Sequence, residues 1–198
     1  MFTGIVQATG RIVARTPAAD GARIRVDTAS WDVADVAPGD SIAVGGCCLT
    51  VVETGPAWLA FDVSAATLGC TTGFDVDRRV NLEKSLRLAD RLGGHLLSGH
   101  VDGVGTVAEL APVVADAQGS WRLEIDAPPA IARYVAPKGS IAVDGVSLTS
   151  NAVDGAHFTV NLIPHTLAVT TLGQLARGAR VNLEVDLIAR YVERMLQR

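Results

Sequence analysis

Cysteine is scarce in this chain: Cys47, Cys48 and Cys70 are the only three, an odd number with two of them adjacent. Neighbours on a strand point to opposite faces, so Cys47 and Cys48 are poorly placed to bond each other, and no disulfide framework can be drawn. Such sparse usage fits a reducing, cytoplasmic setting. Charge of one sign is also missing. Charged residues make up 19% of the chain, no block of like charge occurs, and the formal net charge is -4. That argues against a nucleic-acid partner, whose phosphates call for a basic face. No apolar run approaches the length of about 18 residues that a membrane helix needs. The opening MFTGIVQATGRIV has no charged segment ahead of an apolar one, as a secretory signal would. Phosphate-loop and dinucleotide fingerprints are absent, as are a G-x-S-x-G elbow and a recognisable Ser-His-Asp set. His95 and His100 have no obvious third ligand beside them, so no metal site is expected. The partner these absences leave is a small molecule.

What the chain does have is a repeat. GDSIAVGGCCLT at 39–50 returns as KGSIAVDGVSLT at 138–149, FDVS from Phe61 as FTVN from Phe158, and TL from Thr67 as TL from Thr166. VNLE from Val80 returns as VNLE from Val181, and GIVQATG from Gly4 as GHVDGVG from Gly99. The order is kept throughout, which chance matching does not do. The halves run 1–94 and 95–186. Each reads as mostly strand: ARIRVDTA, DSIAVGG, CCLTVVET, WLAFDVS and RVNLE in the first, RLEIDA, GSIAVDG, VSLTSNAV, HFTVNLI and RVNLEVD in the second. About six short strands per half predict a mainly β fold of two tandem, homologous six-stranded barrels of Greek-key type, closed so that no edge is left unpaired. WDVADVAPGD and PPAIARYVAPKG fit short helices that end before Pro and Gly.

The tail, 187–198, lies outside the repeat and predicts a helix. Leu187, Ile188, Tyr191, Val192, Met195 and Leu196 fall on one stripe, with Arg190, Glu193, Arg194 and Gln197 away from it. A helix this short is unstable alone, so it must pack on the barrels or on copies of itself.

The repeat also exposes asymmetry. His100, in the dense run GGHLLSGHVDGVG at 93–105, stands where the first half has Ile5; Ser147 stands where it has Cys48; Asp144 stands where it has Gly45. Taken singly, these are ordinary: a Gly-rich turn with satisfied histidines, a small buried thiol, a satisfied hydroxyl. Taken together, two similar pockets with different chemistry suit a reaction that uses two similar ligands in different roles.

MFTGIV, GGCCLTV, GGHLLSGHVDGVG, DGVSLT and NLIPHTL, in that order, resemble the riboflavin synthase family over essentially the whole chain. The resemblance implies two lumazine-binding barrels followed by a C-terminal helix. It implies a homotrimer formed through those helices, with each active site between the N-terminal barrel of one subunit and the C-terminal barrel of the next. The activity implied is the dismutation of two molecules of 6,7-dimethyl-8-ribityllumazine into riboflavin and 5-amino-6-(D-ribitylamino)uracil. No net electrons leave the pair, so no cofactor is needed. Lumazine synthase is the further protein partner considered.

Carried over residue by residue, the family's ligand contacts fall in the first barrel on Gly4, Ile5 and Val6, on Cys48, Leu49 and Thr50, and on Asp62, Val63, Ser64, Ala65, Ala66 and Thr67. In the second they fall on Gly99, His100 and Val101, on Lys138, on Ser147, Leu148 and Thr149, and on Leu162, Ile163, Pro164, His165, Thr166 and Leu167. Phe2, Thr3, Ser41, Asp144 and Asp186 match positions linked to activity. The family often has Glu-Thr where this chain has Ala66-Thr67, so one contact of the first pocket is missing. The chemistry needs a base for the acidic C7 methyl of one lumazine and a nucleophile at C7 of the other. Ser147 with His100 is the expected proton-handling pair of the second barrel, and Cys48 with Phe2 its counterpart in the first. The alternative is a non-catalytic lumazine- or flavin-binding protein of the same double-barrel family, which has no need of the reactive groups in the second half.

Overall fold

Strand β2 (Gly21–Asp27) shows how each barrel is made. Ala22, Ile24 and Val26 are buried while the residues between them are not, the period-2 pattern of a strand with one face to a core. The computed structural model describes residues 1–114 and 119–196. In the first half the other strands are β1 (Ala8–Ala18), β3 (Ser41–Val44), β4 (Cys47–Gly55), β5 (Trp58–Ser64) and β6 (Arg79–Lys84). They close in the order β1-β2-β5-β4-β3-β6. In the second half, β7 (Gly103–Pro112), β8 (Trp121–Asp126), β9 (Ser140–Val143), β10 (Val146–Asp154), β11 (His157–Leu162) and β12 (Arg180–Val185) close as β10-β11-β8-β7-β12-β9, the same circuit entered at another strand. Every pairing is antiparallel. Register shifts at Ile12/Ala14 and Val51/Glu53 recur at Val107/Glu109 and Ser150/Val153. Such bulges sharpen the bend that closure requires.

Each barrel has its own core. Phe61, Ile12, Ile24 and Leu59 are fully buried in the first, Phe158, Leu123, Ile125 and Ile141 in the second. The hairpins β3–β4 and β9–β10 turn on Gly45-Gly46 and Asp144-Gly145, all four at positive φ, as a two-residue turn matched to strand twist requires.

Short helices α1 (Ala65–Cys70) and α3 (Pro164–Val169) follow β5 and β11. Ser64 caps α1 by accepting the Thr67 N–H at 3.1 Å, and Pro164 opens α3. Of the two helices expected elsewhere, PPAIARYVAPKG gives the four-residue α2 (Pro129–Ala132). WDVADVAPGD gives only turns. There the Ala34 N–H donates to Asp32 and the Ala37 N–H to Asp40, so side-chain acceptors replace the helical carbonyls.

The tail helix α4 (Leu187–Leu196) forms as expected; residues 197 and 198, with Gln197, lie outside the described residues. Its faces are inverted for a helix packing on its own core. Arg190 pairs with Asp102 at 2.8 Å, and Glu193 with Arg133 at 2.9 Å and the Tyr134 hydroxyl at 3.1 Å, so the polar side meets the second barrel. Ile188, Tyr191, Val192, Met195 and Leu196 stay exposed.

Candidate active site

Each half begins with an arm that is anchored on its own barrel and reaches across to the other. Phe2 and Leu97 are equivalent residues, and each donates its N–H to the other's carbonyl, at 2.8 and 3.1 Å. Phe2 is 1% exposed and packs with Leu97, Ala43, Ala142 and Cys48 where the two halves meet. Next along each arm stand Gly4 (φ +74) and Gly99 (φ +77). The Ser147 N–H donates to the Gly4 carbonyl at 2.8 Å, and the Cys48 N–H to the Gly99 carbonyl at 2.7 Å. A Cβ on Gly4 would fall 2.6 Å from that of Ser147, and one on Gly99 would fall 2.6 Å from that of Cys48, so only glycine admits this approach. Beyond them Val6 packs against the second core and Val101 against the first.

A buried carboxylate fixes each arm. Glu83 accepts the Thr3 N–H at 2.7 Å, the Thr3 hydroxyl at 2.6 Å and the Gly4 N–H at 3.0 Å. Glu184 accepts the Ser98 N–H at 2.7 Å, the Ser98 hydroxyl at 2.7 Å and the Gly99 N–H at 3.0 Å. Burial pushes both carboxyls above their ordinary value, while these donors pull the other way. Hydrogen bonds to a charged group contribute about 1.5–3 kcal/mol each, enough to hold a short segment in place. The sequence reading missed both residues, although the repeated VNLE carries them.

The pockets are therefore assembled crosswise. Around the first barrel stand Cys48 to Thr50, the end of β5 with α1, and the second half's arm, Gly99 to Val101. Around the second stand Ser147 to Thr149, Leu162 to Leu167, and the first half's arm, Gly4 to Val6. Grouping Gly4 to Val6 with the first barrel and Gly99 to Val101 with the second followed chain order; backbone pairing exchanges them. Ser41 sits opposite Thr50 in the β3–β4 ladder and lines a polar cleft of about 400 Å³ with Gln7 and Lys84. Asp62, on the exposed face of β5, is held by Arg23 at 2.7 Å, and that hydrogen bond lowers its pKa. Lys138 takes φ +63 where the first half has Gly39, and its N–H donates to the Ser150 carbonyl at 2.7 Å. A lysine held in that conformation is strained, and such strain collects at functional sites.

The expected Ser147–His100 pair does not form. His100 rides on the Gly99 arm beside Cys48 and is exposed, with its N–H donating to the Ser98 hydroxyl at 3.3 Å. The imidazole at Ser147 is that of His95, whose Nδ1 lies 2.6 Å from the hydroxyl oxygen. His95 is 9% exposed; burial lowers its pKa, against the pull of the nearby Asp186 carboxylate. Its Nε2 is buried without a protein partner. Repeat comparison could not single out His95, because its counterpart would precede Met1.

Asp144 belongs to a polar hub between the barrels. Asn81 donates to the Asp144 carbonyl at 2.9 Å and accepts the Thr171 N–H at 2.8 Å. Its equivalent, Asn182, donates to the Gly45 carbonyl at 2.8 Å and accepts the Thr72 N–H at 2.8 Å. The Asp144 carboxylate accepts the Asn182 N–H at 2.7 Å, and burial pushes its pKa to about 7 despite that bond.

The profile of the lumazine binding domain matches residues 3–85 and 98–186. Riboflavin synthase of Photobacterium phosphoreum is 44% identical over 198 residues, covering 99% of this chain and 89% of the relative. That of Mycobacterium tuberculosis (strain ATCC 25618 / H37Rv) is also 44% identical, covering 100% of this chain and 98% of the relative. Among solved structures, LumP complexed with 6,7-dimethyl-8-(1'-D-ribityl) lumazine superposes with a TM-score of 0.81 at 27% identity, covering 93% of this chain and 99% of that one. LumP complexed with riboflavin superposes with a TM-score of 0.84 at 28% identity, with the same coverage.

Proposed function

The chain belongs to the riboflavin synthase family, with its lumazine binding domain in two copies, and on that footing we propose that it transfers a four-carbon unit between two bound lumazines. One molecule of 6,7-dimethyl-8-ribityllumazine gives up the unit and leaves as 5-amino-6-(D-ribitylamino)uracil; the other gains it and becomes riboflavin. The observation that carries this reading is the inequivalence of two otherwise equivalent sites. Backbone groups meet identically at Cys48/Gly99 and Ser147/Gly4, yet one site carries a thiol beside the His100 arm and the other a hydroxyl fixed by His95. Two copies of one substrate can then take different parts.

The chemistry divides between the sites. The C7 methyl of a lumazine is acidic because its anion delocalises into the ring. His100, an imidazole exposed on its arm, is the group that takes that proton. His95, whose charged form burial disfavours, orients the Ser147 hydroxyl toward the second ligand. Cys48 with Phe2 shapes the first pocket, and Lys138 and Asp186 border the second. Holding both rings in fixed array replaces a bimolecular encounter by a positioned one.

The donor and acceptor pockets belong to neighbouring copies in a homotrimer. Supporting this, the apolar stripe of α4 faces outward while its polar face is tied to the barrel, leaving the stripe for other copies of the helix. A cytoplasmic location is supported by three free thiols. An association with lumazine synthase rests on chemistry alone, since that enzyme's product is this substrate. A pure binder of lumazine would have no use for unlike reactive groups at matched positions. The test is incubation of the purified chain with 6,7-dimethyl-8-ribityllumazine alone. Two lumazines should disappear for each riboflavin formed; binding without riboflavin would overturn the reading.

A further inference from the structure

A second cleft, of about 320 Å³, opens between the barrels. Arg11, Asp77, Arg78 and Arg79 line it from the first barrel, and Thr171, Gln174 and Leu175 from the second. Arg11 and Arg79 are direct cross-strand partners in the β1–β6 ladder. Like charges placed opposite each other in a ladder destabilise the sheet. The equivalent pair in the second barrel is Thr106 opposite Arg180, so the fold itself does not require two arginines there. Arg79 donates to the Thr9 hydroxyl at 2.7 Å. Among the described residues, no carboxylate makes an ion pair with Arg11, Arg78 or Arg79. Asp27, the other cross-strand neighbour of Arg11, spends a carboxylate oxygen on the Ala29 N–H. Three cations thus line the cleft with one carboxylate, Asp77, and only Arg78 also feels the Asp144 carboxylate beyond it, in a chain whose net charge is -4.

We propose that this cleft binds a phosphate group, free or as the monoester of a polyol or sugar. Guanidinium forks match the oxygens of phosphate in geometry and charge, and a dianion between Arg11 and Arg79 would turn their repulsion into two charge-assisted contacts. Thr171 and Gln174 supply hydroxyl and amide groups from the other barrel. Thr171 is also the residue whose N–H reaches Asn81, so a ligand here bridges the barrels at their hub. The site shares no residue with the lumazine pockets and would act as a regulatory or stabilising site.

The experiment compares thermal melts and calorimetric titrations of the full chain with inorganic phosphate, with ribose 5-phosphate, and with sodium chloride at matched ionic strength, because screening alone also relieves exposed like charges. R11T installs the residue the second repeat already carries, and R78Q serves as a second variant should R11T fold poorly. Without phosphate, R11T should melt at or above the temperature of the parent. With phosphate the order should reverse, and the phosphate dissociation constant should rise at least tenfold in either variant. A stronger response to ribose 5-phosphate would assign the site to a monoester, and a stronger response to inorganic phosphate to the free anion. If phosphate does no more than chloride, or both variants respond like the parent, the proposal fails.

Discussion

Phe2 and Leu97 pair backbone to backbone across the boundary between the repeats, and each is the other's counterpart in sequence. A segment that pairs with its own equivalent marks a local two-fold, and it forces the residues beyond it, Gly4 and Gly99, onto opposite barrels. Replacing Phe2 by Ala empties a site that is 1% exposed. Phe-to-Ala changes in cores cost about 3–5 kcal/mol, more than a short arm can absorb. Turnover should fall by at least about two orders of magnitude, as for loss of positioning, while far-ultraviolet circular dichroism keeps its strand signal. An active F2A protein would remove the arms from the account.

The same two-fold makes a statement about fragments. Residues 1–94 contain one barrel and one complete arm, but not Gly99 to Val101, which cover Cys48. Two copies of the fragment can supply that cover to each other through Gly4 to Val6. The fragment should sediment as a dimer and bind lumazine without converting it. A monomer that binds as well as the dimer would contradict the exchange of arms.

Asp144 gives a pH prediction. Its carboxyl rises from 3.8 to about 7 on folding, so the folded state holds a proton that the unfolded state has lost. That contribution to stability is complete below about pH 4 and is lost as pH rises to about 7. D144N keeps an oxygen to accept the Asn182 N–H, and Asn tolerates φ 46. Urea melts across this range should show a shallower decline for D144N than for the parent. Parallel curves would mean that Asp144 is ionised in the folded chain.

His100 and His95 should separate in kinetics. H100Q removes the exposed imidazole on the arm beside Cys48 and should lower kcat by about 10²-fold, the scale of a positioned acid–base group. H95Q can still hold the Ser147 hydroxyl through its amide and should cost under about tenfold. The reverse order would move the proton chemistry to the second pocket.

The barrels were legible because the repeat and the alternation of apolar residues act over few residues at a time. The stripe of α4 was legible for the same reason, but not its inversion, which depends on Asp102 and Arg133, far away in sequence. WDVADVAPGD has helix-like composition, yet Asp32 and Asp40 capture its amides, a competition decided by side-chain geometry. At the site, chain order assigned each arm to the barrel it precedes. The exchange of arms rests on contacts between the halves, Gly4 with Ser147 and Gly99 with Cys48, that no local pattern encodes. For the same reason His95, not His100, proved to be the neighbour of Ser147.

The crosswise assembly of the pockets is tested most directly by a double-mutant cycle on lumazine binding. Val6 belongs to the first repeat but packs against the second core, as Leu148 does; Leu49 is the equivalent of Leu148 in the first barrel. V6A combined with L148A should show a coupling of about 0.5–3 kcal/mol, whereas V6A combined with L49A should be additive to within about 0.5 kcal/mol. Coupling of V6A to L49A, with additivity toward L148A, would place each arm on its own barrel and contradict the account.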